Sequence, residues 1–142
     1  MTTFLANFVR LMGAVQAGIG ASHLPLQTVA GWVGVSTVTP ATSLGVGIVT
    51  TAAICWFNLA AGQATGLREA VVRGYLTPVG AVTGLYVTLV SPDSWSAVGH
   101  HAVYLVSSVF RETPAWVWLA AVGFGAYRAH VARAGAKANV YR

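Results

Sequence analysis

Charged residues are scarce in this chain. Only 8% of its 142 residues are charged, comprising three acids and eight bases, whereas 56% are hydrophobic. A soluble domain has roughly a quarter of its residues charged, because its large surface must be hydrated. The composition therefore nearly excludes a water-soluble fold. We expect much of the surface to face lipid or other proteins.

Residues that usually carry chemistry are also few. Cys55 is the only cysteine, which excludes an internal disulfide, a Cys-based zinc site and a redox pair. The sequence has no G-x-S-x-G, H-E-x-x-H, S-x-x-K or Walker-type motif. All three acids fall in predicted connectors, so no predicted span has the buried carboxylate of a proton-coupled transporter. We expect no catalytic residue, no metal site and no enzyme activity of the chain's own.

A long charge-free stretch dominates the first half of the sequence. Between Arg10 and Arg68, residues 11–67 contain no Asp, Glu, Lys or Arg. A helix needs about 20 residues to cross the hydrocarbon core, so this stretch has room for two spans. The clearer one is 42–62. The other, near 11–35, is interrupted around Pro25, which predicts either one kinked span or a helix followed by a partly buried loop.

The second half predicts two more spans. Residues 68–73 form a charged connector in which Glu69 and Arg73 have the i,i+4 spacing of a surface ion pair. The uncharged stretch 74–91 follows, with Pro78 in its first turns, where a missing N–H costs least. The last predicted span is 114–131, with Thr113 as N-cap and Pro114 as first helical residue. A basic tail, 132–142, follows it.

The segment 95–111 has a different pattern. Polar side chains recur at helical spacing along one side, including His100 and Tyr104, and apolar side chains occupy the other. This pattern is typical of an amphipathic helix that lies in the membrane interface. We therefore expect an all-α integral membrane protein with about four transmembrane helices plus one interfacial helix, forming a single membrane domain over residues 1–142.

Charge asymmetry predicts the orientation of these spans. With 95–111 on the outer surface, Asp93, Arg111 and Glu112 lie outside, and Glu69 is the one acid inside. Loops on the cytoplasmic or matrix side carry an excess of Lys and Arg, which places both termini on that side of a mitochondrial inner membrane or a bacterial or archaeal cytoplasmic membrane. Seven bases then lie inside: Arg10, Arg68, Arg73, Arg128, Arg133, Lys137 and Arg142.

Small residues recur at near-helical spacing. Gly80 and Gly84 form a G-x-x-x-G motif in the third predicted span. Small residues let helices approach closely in lipid, where packing must replace the hydrophobic effect, although such residues are also frequent throughout this composition. The predicted helix-packing positions are Gly45, Gly47, Gly80, Gly84, Ala121 and Gly125.

Histidines and the basic tail are the remaining candidate sites. The candidates for haem ligands are His100 and His101, but adjacent residues point about 100° apart on a helix and cannot address one metal from one face. We therefore expect no cofactor other than bound lipids. Bases of the tail can each contribute about 1 kcal/mol near anionic headgroups, and they are too few to predict nucleic-acid binding. The predicted headgroup contacts are Arg128, Arg133, Lys137 and Arg142.

Two classes of function agree with these features. The first is a non-catalytic accessory subunit of a larger membrane assembly, such as a respiratory or other energy-transducing complex, with other membrane subunits and lipids as partners. The second is an autonomous membrane-active oligomer, such as a phage holin or viral membrane protein, which would self-associate and permeabilise a bilayer. A small carrier or channel is a third, weaker alternative, and it would require a wet cavity between helices, lined by Thr50, Asn58, Tyr86 or Thr88.

Overall fold

The computed structural model describes residues 1–60 and 66–140, and all regular structure within those ranges is helical. This confirms the all-α prediction. The helices are α1 (Thr2–Ser22), α2 (Leu26–Trp32), α3 (Pro40–Ala60), α4 (Leu67–Glu69), a π-helical segment (Ala70–Leu76), α5 (Thr77–Val90), α6 (Trp95–Glu112) and α7 (Ala115–Val140).

Two helices are long and apolar enough to cross a membrane. They are α1 and the part of α3 from Pro40 to Asn58. The two differ in their surroundings, since 56% of the apolar stretch of α1 is buried, against 6% of that of α3. α1 is thus the inner helix of the bundle, and α3 lies on its outside.

The first helix begins earlier and ends earlier than predicted. The range 11–35 used Arg10 as a boundary, but α1 starts at Thr2 and carries Arg10 in its interior. One arginine within a helix is tolerated because its guanidinium can reach a polar neighbourhood through a long aliphatic stem. The chain leaves the helical path at His23, and α2 follows from Leu26. α2 is followed by residues 33–39, which are exposed except for the half-buried Val38, so this segment is not the partly buried loop of the second alternative.

One side chain holds the segment after α2 in place. The amide nitrogen of Gln27 donates to the carbonyl of Ser36 at 3.1 Å, and its oxygen accepts from the N–H of Val38 at 3.1 Å. Gly34 has a φ of +79°, a left-handed conformation that favours glycine. These features turn the chain from α2 into α3.

Residues 67–90 are helical without a gap, so the predicted boundary at residue 74 is wrong. The expected i,i+4 pair forms, with Arg73 2.8 Å from Glu69, and continues the helix through the charged connector. Pro78 consequently lies inside the helix. Proline has no N–H to donate to the carbonyl of Gly74. The preceding turns have π-helical rather than α-helical hydrogen bonding, so the helix continues past Pro78.

The C-terminal half agrees with the predicted helices except at two points. Ser94 caps α6 by accepting from the N–H of Ala97 at 3.1 Å. The predicted N-cap role of Thr113 is wrong, because its hydroxyl donates backward to the carbonyl of Val109 at 2.7 Å. The residues predicted as a separate basic tail are also helical up to Val140, because α7 continues to that residue as one helix.

Small residues form most of the core around α1. This helix contacts α3, the π-helical segment, α5, α6 and α7. Its buried positions include Ala14, Ala17 and Ala21, each at most 2% exposed. The largest fully buried side chains are those of Leu105 and Gln16, and Met12 and Val117 pack together with Ala121. Small side chains allow backbones to approach closely, as expected for helices packed without hydrophobic driving force.

Candidate functional site

Three of the six predicted packing positions lie in contacts between helices. A Cβ on Gly47 would lie 2.8 Å from the carbonyl oxygen of Gly18, and one on Gly125 would lie 2.8 Å from the carbonyl oxygen of Phe4. Ala121 is fully buried in the core. These residues join α3 and α7 to α1.

The other three predicted packing positions face open space. A Cβ on Gly45, Gly80 or Gly84 would meet no atom within 4 Å among the described residues. Gly80 and Gly84 are exposed on α5. No part of the chain that the structure describes packs against these three glycines.

The exposed surface of α3 is strongly apolar. Trp56 and Phe57 are 72% and 71% exposed, and Leu44 and Ile48 are more than half exposed. Within the described residues, α3 makes its main helix contacts with α1 alone. A contiguous surface of this kind is covered by lipid or by another protein.

A cavity with mostly apolar walls and a few polar side chains lies between α1, α3 and α7. Its volume is about 140 Å³. On each helix the lining residues have the i,i+3 or i,i+4 spacing that places side chains on one face. The lining comprises Asn7, Arg10 and Leu11 from α1, Cys55 and Asn58 from α3, and Phe124 and Arg128 from α7.

The cavity has an unbalanced set of polar groups. Two guanidinium groups line it, and neither Arg10 nor Arg128 forms an ion pair with any carboxylate in the described part of the chain. Glu69 has an electrostatic effect on Arg10, but its carboxylate forms an ion pair with Arg73. The side-chain nitrogen of Asn58 is buried and has no hydrogen-bond partner within the described residues. The site therefore presents donors and positive charge without a matching anion.

The two candidate haem ligands are adjacent residues on α6. His100 and His101 have ring centroids 5.9 Å apart with planes at 70°, so their rings diverge. His23 lies 2.5 Å from the carboxylate of Glu112. No group of three or more His, Cys, Asp or Glu side chains within the described ranges could hold a metal ion.

The four predicted headgroup contacts have different environments. Arg128 lines the cavity between helices, whereas Arg133 and Lys137 are exposed along α7. Arg142 lies outside the described residues. The basic residues are thus divided between an enclosed site and an open helix surface.

Sequence reasoning did not single out Asn7 or Arg10 as site residues. Arg10 was used to bound the first span and to orient the spans, and Asn58 was named only as one possible lining residue of a carrier's cavity. The spacing of Asn7 and Arg10 contained a signal, since i,i+3 places both on one helix face. Scans against protein-family models, curated proteins and solved structures found no match. Functional inference therefore rests on the cavity and on the exposed surfaces.

Proposed function

We propose that this chain is a non-catalytic accessory subunit of a larger membrane assembly, such as a respiratory or other energy-transducing complex. In this role its helices pack on other membrane subunits and stabilise or join them. The observation that carries the proposal is the open G-x-x-x-G surface of α5, where Gly80 and Gly84 have no neighbour within 4 Å in the described chain.

Exposed glycines have a cost that a partner would offset. Each glycine inside a helix destabilises it by about 0.5–1 kcal/mol relative to alanine. No contact within the described chain offsets this cost at Gly45, Gly80 or Gly84, because no neighbouring atom lies within 4 Å of an added Cβ. A partner helix packed against them would make close backbone contacts that no larger residue permits. The exposed apolar face of α3 offers a second surface of the same kind.

The proposal includes four membrane spans, formed by α1, α3, the helix 67–90 and α7, with α6 at the outer surface. The charge arrangement supports it. Arg10 and Arg128 meet in one cavity, whereas His23 and Glu112 meet just beyond the other end of α1. Thirteen helical residues separate Arg10 from His23, a distance of roughly 20 Å. The end that carries the bases would lie on the cytoplasmic or matrix side, together with both termini.

The test is extraction of the native membrane with mild detergent, followed by native gel separation and identification of all co-migrating proteins. We expect the chain to migrate within a large complex of different subunits. The double substitution Gly80→Leu and Gly84→Leu is expected to release it from that complex without unfolding it. Gly123→Leu, an equal change at an open position on α7, serves as the matched control and is expected to leave assembly intact.

Migration as a homo-oligomer would contradict the accessory role. The same open glycines would then join copies of this chain, as the membrane-active alternative requires. Dye release from lipid vesicles by the purified chain would support that alternative, and loss of release on Gly80→Leu would assign it to α5. A small carrier or channel is the weaker alternative. Of the side chains that would line its path, Asn58 lines the cavity between α1, α3 and α7, whereas Thr88 donates to the carbonyl of Gly84 in its own helix at 2.8 Å.

A further inference from the structure

The cavity between α1, α3 and α7 has the donor set of an anion site. Arg10 and Arg128 come from two different helices and line the same space. Two guanidinium groups that line one partly desolvated site repel each other, and an anion bound there stabilises both. The chain has three acidic side chains, and none forms an ion pair with either arginine in the described structure.

Asn58 gives a second, independent indication. Its amide nitrogen is buried without a hydrogen-bond partner among the described residues, and its side chain lines the cavity. A buried donor without a partner costs free energy comparable to a lost hydrogen bond. An acceptor bound in the cavity would satisfy this donor. Asn7 donates its own amide nitrogen to the carbonyl of Thr3 at 2.7 Å, so the donor of Asn7 is already used.

The size and walls of the cavity narrow the class of anion. A cavity admits one water at roughly 10–15 Å³, so about 140 Å³ has room for a phosphate group and accompanying water. Arginine is the side chain best suited to phosphate, because its planar fork donates two parallel hydrogen bonds. Leu11, Cys55 and Phe124 supply apolar walls, which suit the organic part of a phosphate ester.

We propose that this cavity binds a phosphate group through Arg10, Arg128 and the amide of Asn58. The group can come from the headgroup of an anionic phospholipid or from free inorganic phosphate, since both present the same acceptor oxygens. The site lies at the basic end of the bundle and is formed by three helices of this chain. It is therefore independent of the accessory role and of any partner subunit.

The experiment uses the full-length chain in lipid nanodiscs and in phosphate-free detergent. Binding of phosphatidylglycerol, measured against phosphatidylcholine by native mass spectrometry, is the lipid arm. A phosphorus NMR titration with inorganic phosphate is the free-anion arm. We expect Arg10→Gln or Arg128→Gln to reduce affinity by about tenfold, the size of one charge-assisted hydrogen bond. Arg133→Gln, an exposed charge on the same helix as Arg128, is the matched control and should change affinity less than about twofold.

The sharpest variant is Asn58→Asp, which keeps the shape of the side chain and adds the missing negative charge. We expect it to abolish binding of both probes and to raise the unfolding midpoint, because an internal carboxylate then pairs with the two arginines. This outcome separates lost binding from lost folding. Binding in the lipid arm alone assigns the site to a headgroup, and binding in both arms assigns it to any phosphate group.

Any of three results would contradict the proposal, and the first two concern binding. One is equal affinity for phosphatidylglycerol and phosphatidylcholine together with no response to inorganic phosphate. The other is an effect of Arg133→Gln as large as that of Arg10→Gln, which would show attraction by general surface charge. A lowered unfolding midpoint for Asn58→Asp would also contradict the inferred charge imbalance. None of these outcomes depends on whether the chain migrates within a larger complex.

Discussion

Replacing Gly13 with alanine will force apart two helices whose backbones are in contact. A Cβ on Gly13 would lie 1.9 Å from the carbonyl oxygen of Gly74 and 2.8 Å from the Cα of Tyr75. Cβ atoms essentially never show contacts under 3.0 Å, so the gap must open by at least 1.1 Å, the difference between 3.0 and 1.9 Å. The neighbouring atoms belong to the backbone and cannot rotate away.

The expected cost follows from two opposing effects. A radial gap of about 0.5–1 Å loses a quarter to a half of each van der Waals contact across it, and overpacking a tight contact costs about 1–3 kcal/mol. The change from glycine to alanine itself returns about 0.5–1 kcal/mol within a helix. We therefore expect Gly13→Ala to lower the free energy of unfolding by about 1–2 kcal/mol.

The assay is unfolding of the purified chain in mixed micelles, followed by helical circular dichroism as the fraction of denaturing detergent rises. Gly80→Ala is the matched control, since nothing lies within 4 Å of the new Cβ in the described structure. It should leave stability unchanged or raise it by about 0.5–1 kcal/mol. The reasoning fails if Gly13→Ala unfolds at the parent midpoint or above it while Gly80→Ala behaves as expected.

Three further measurements test other contacts. Tyr75→Phe removes the hydrogen bond from the tyrosine hydroxyl to the buried amide oxygen of Gln16 and should cost about 0.5–1.5 kcal/mol in the same unfolding assay. A double-mutant cycle on His23 and Glu112, which lie 2.5 Å apart and are partly exposed, should give a coupling of about 0.5–1 kcal/mol. Maleimide labelling of Cys55, the only cysteine and a cavity residue, should slow when phosphatidylglycerol is present; an unchanged rate would contradict occupancy of that cavity.

Helix boundaries could be predicted where the signal was local. An amphipathic helix was predicted over 95–111, and α6 begins at Trp95, where Ser94 caps it. The pair of Glu69 and Arg73 was read from its spacing and forms as expected. Boundaries failed where a charge was taken to end a helix, as at Arg10. A charged residue marks the end of a buried helix only if its side chain finds no polar neighbours inside the bundle. Arg10 does not mark such an end, because its side chain lines a cavity between helices.

The candidate site could not be predicted in the same way. Its residues belong to three helices that are far apart in sequence, and each helix alone shows only two or three side chains on one face. The tail bases were treated as one group, yet Arg128 turns into the cavity and Arg133 remains exposed. Which side chain enters a space between helices depends on the rotation of each helix about its axis, and packing sets that rotation.

The sequence by itself determined the helical class, the apolar surface and the amphipathic character of α6, because hydrophobic periodicity and composition act through local geometry. Only the tertiary structure decided which small residues are contacts. Gly47 and Gly80 are equivalent by composition and helical context, but Gly47 meets the backbone of α1 and Gly80 faces open space. The difference is physical, since a glycine becomes a contact only when another helix approaches that face, and the approach depends on the whole bundle.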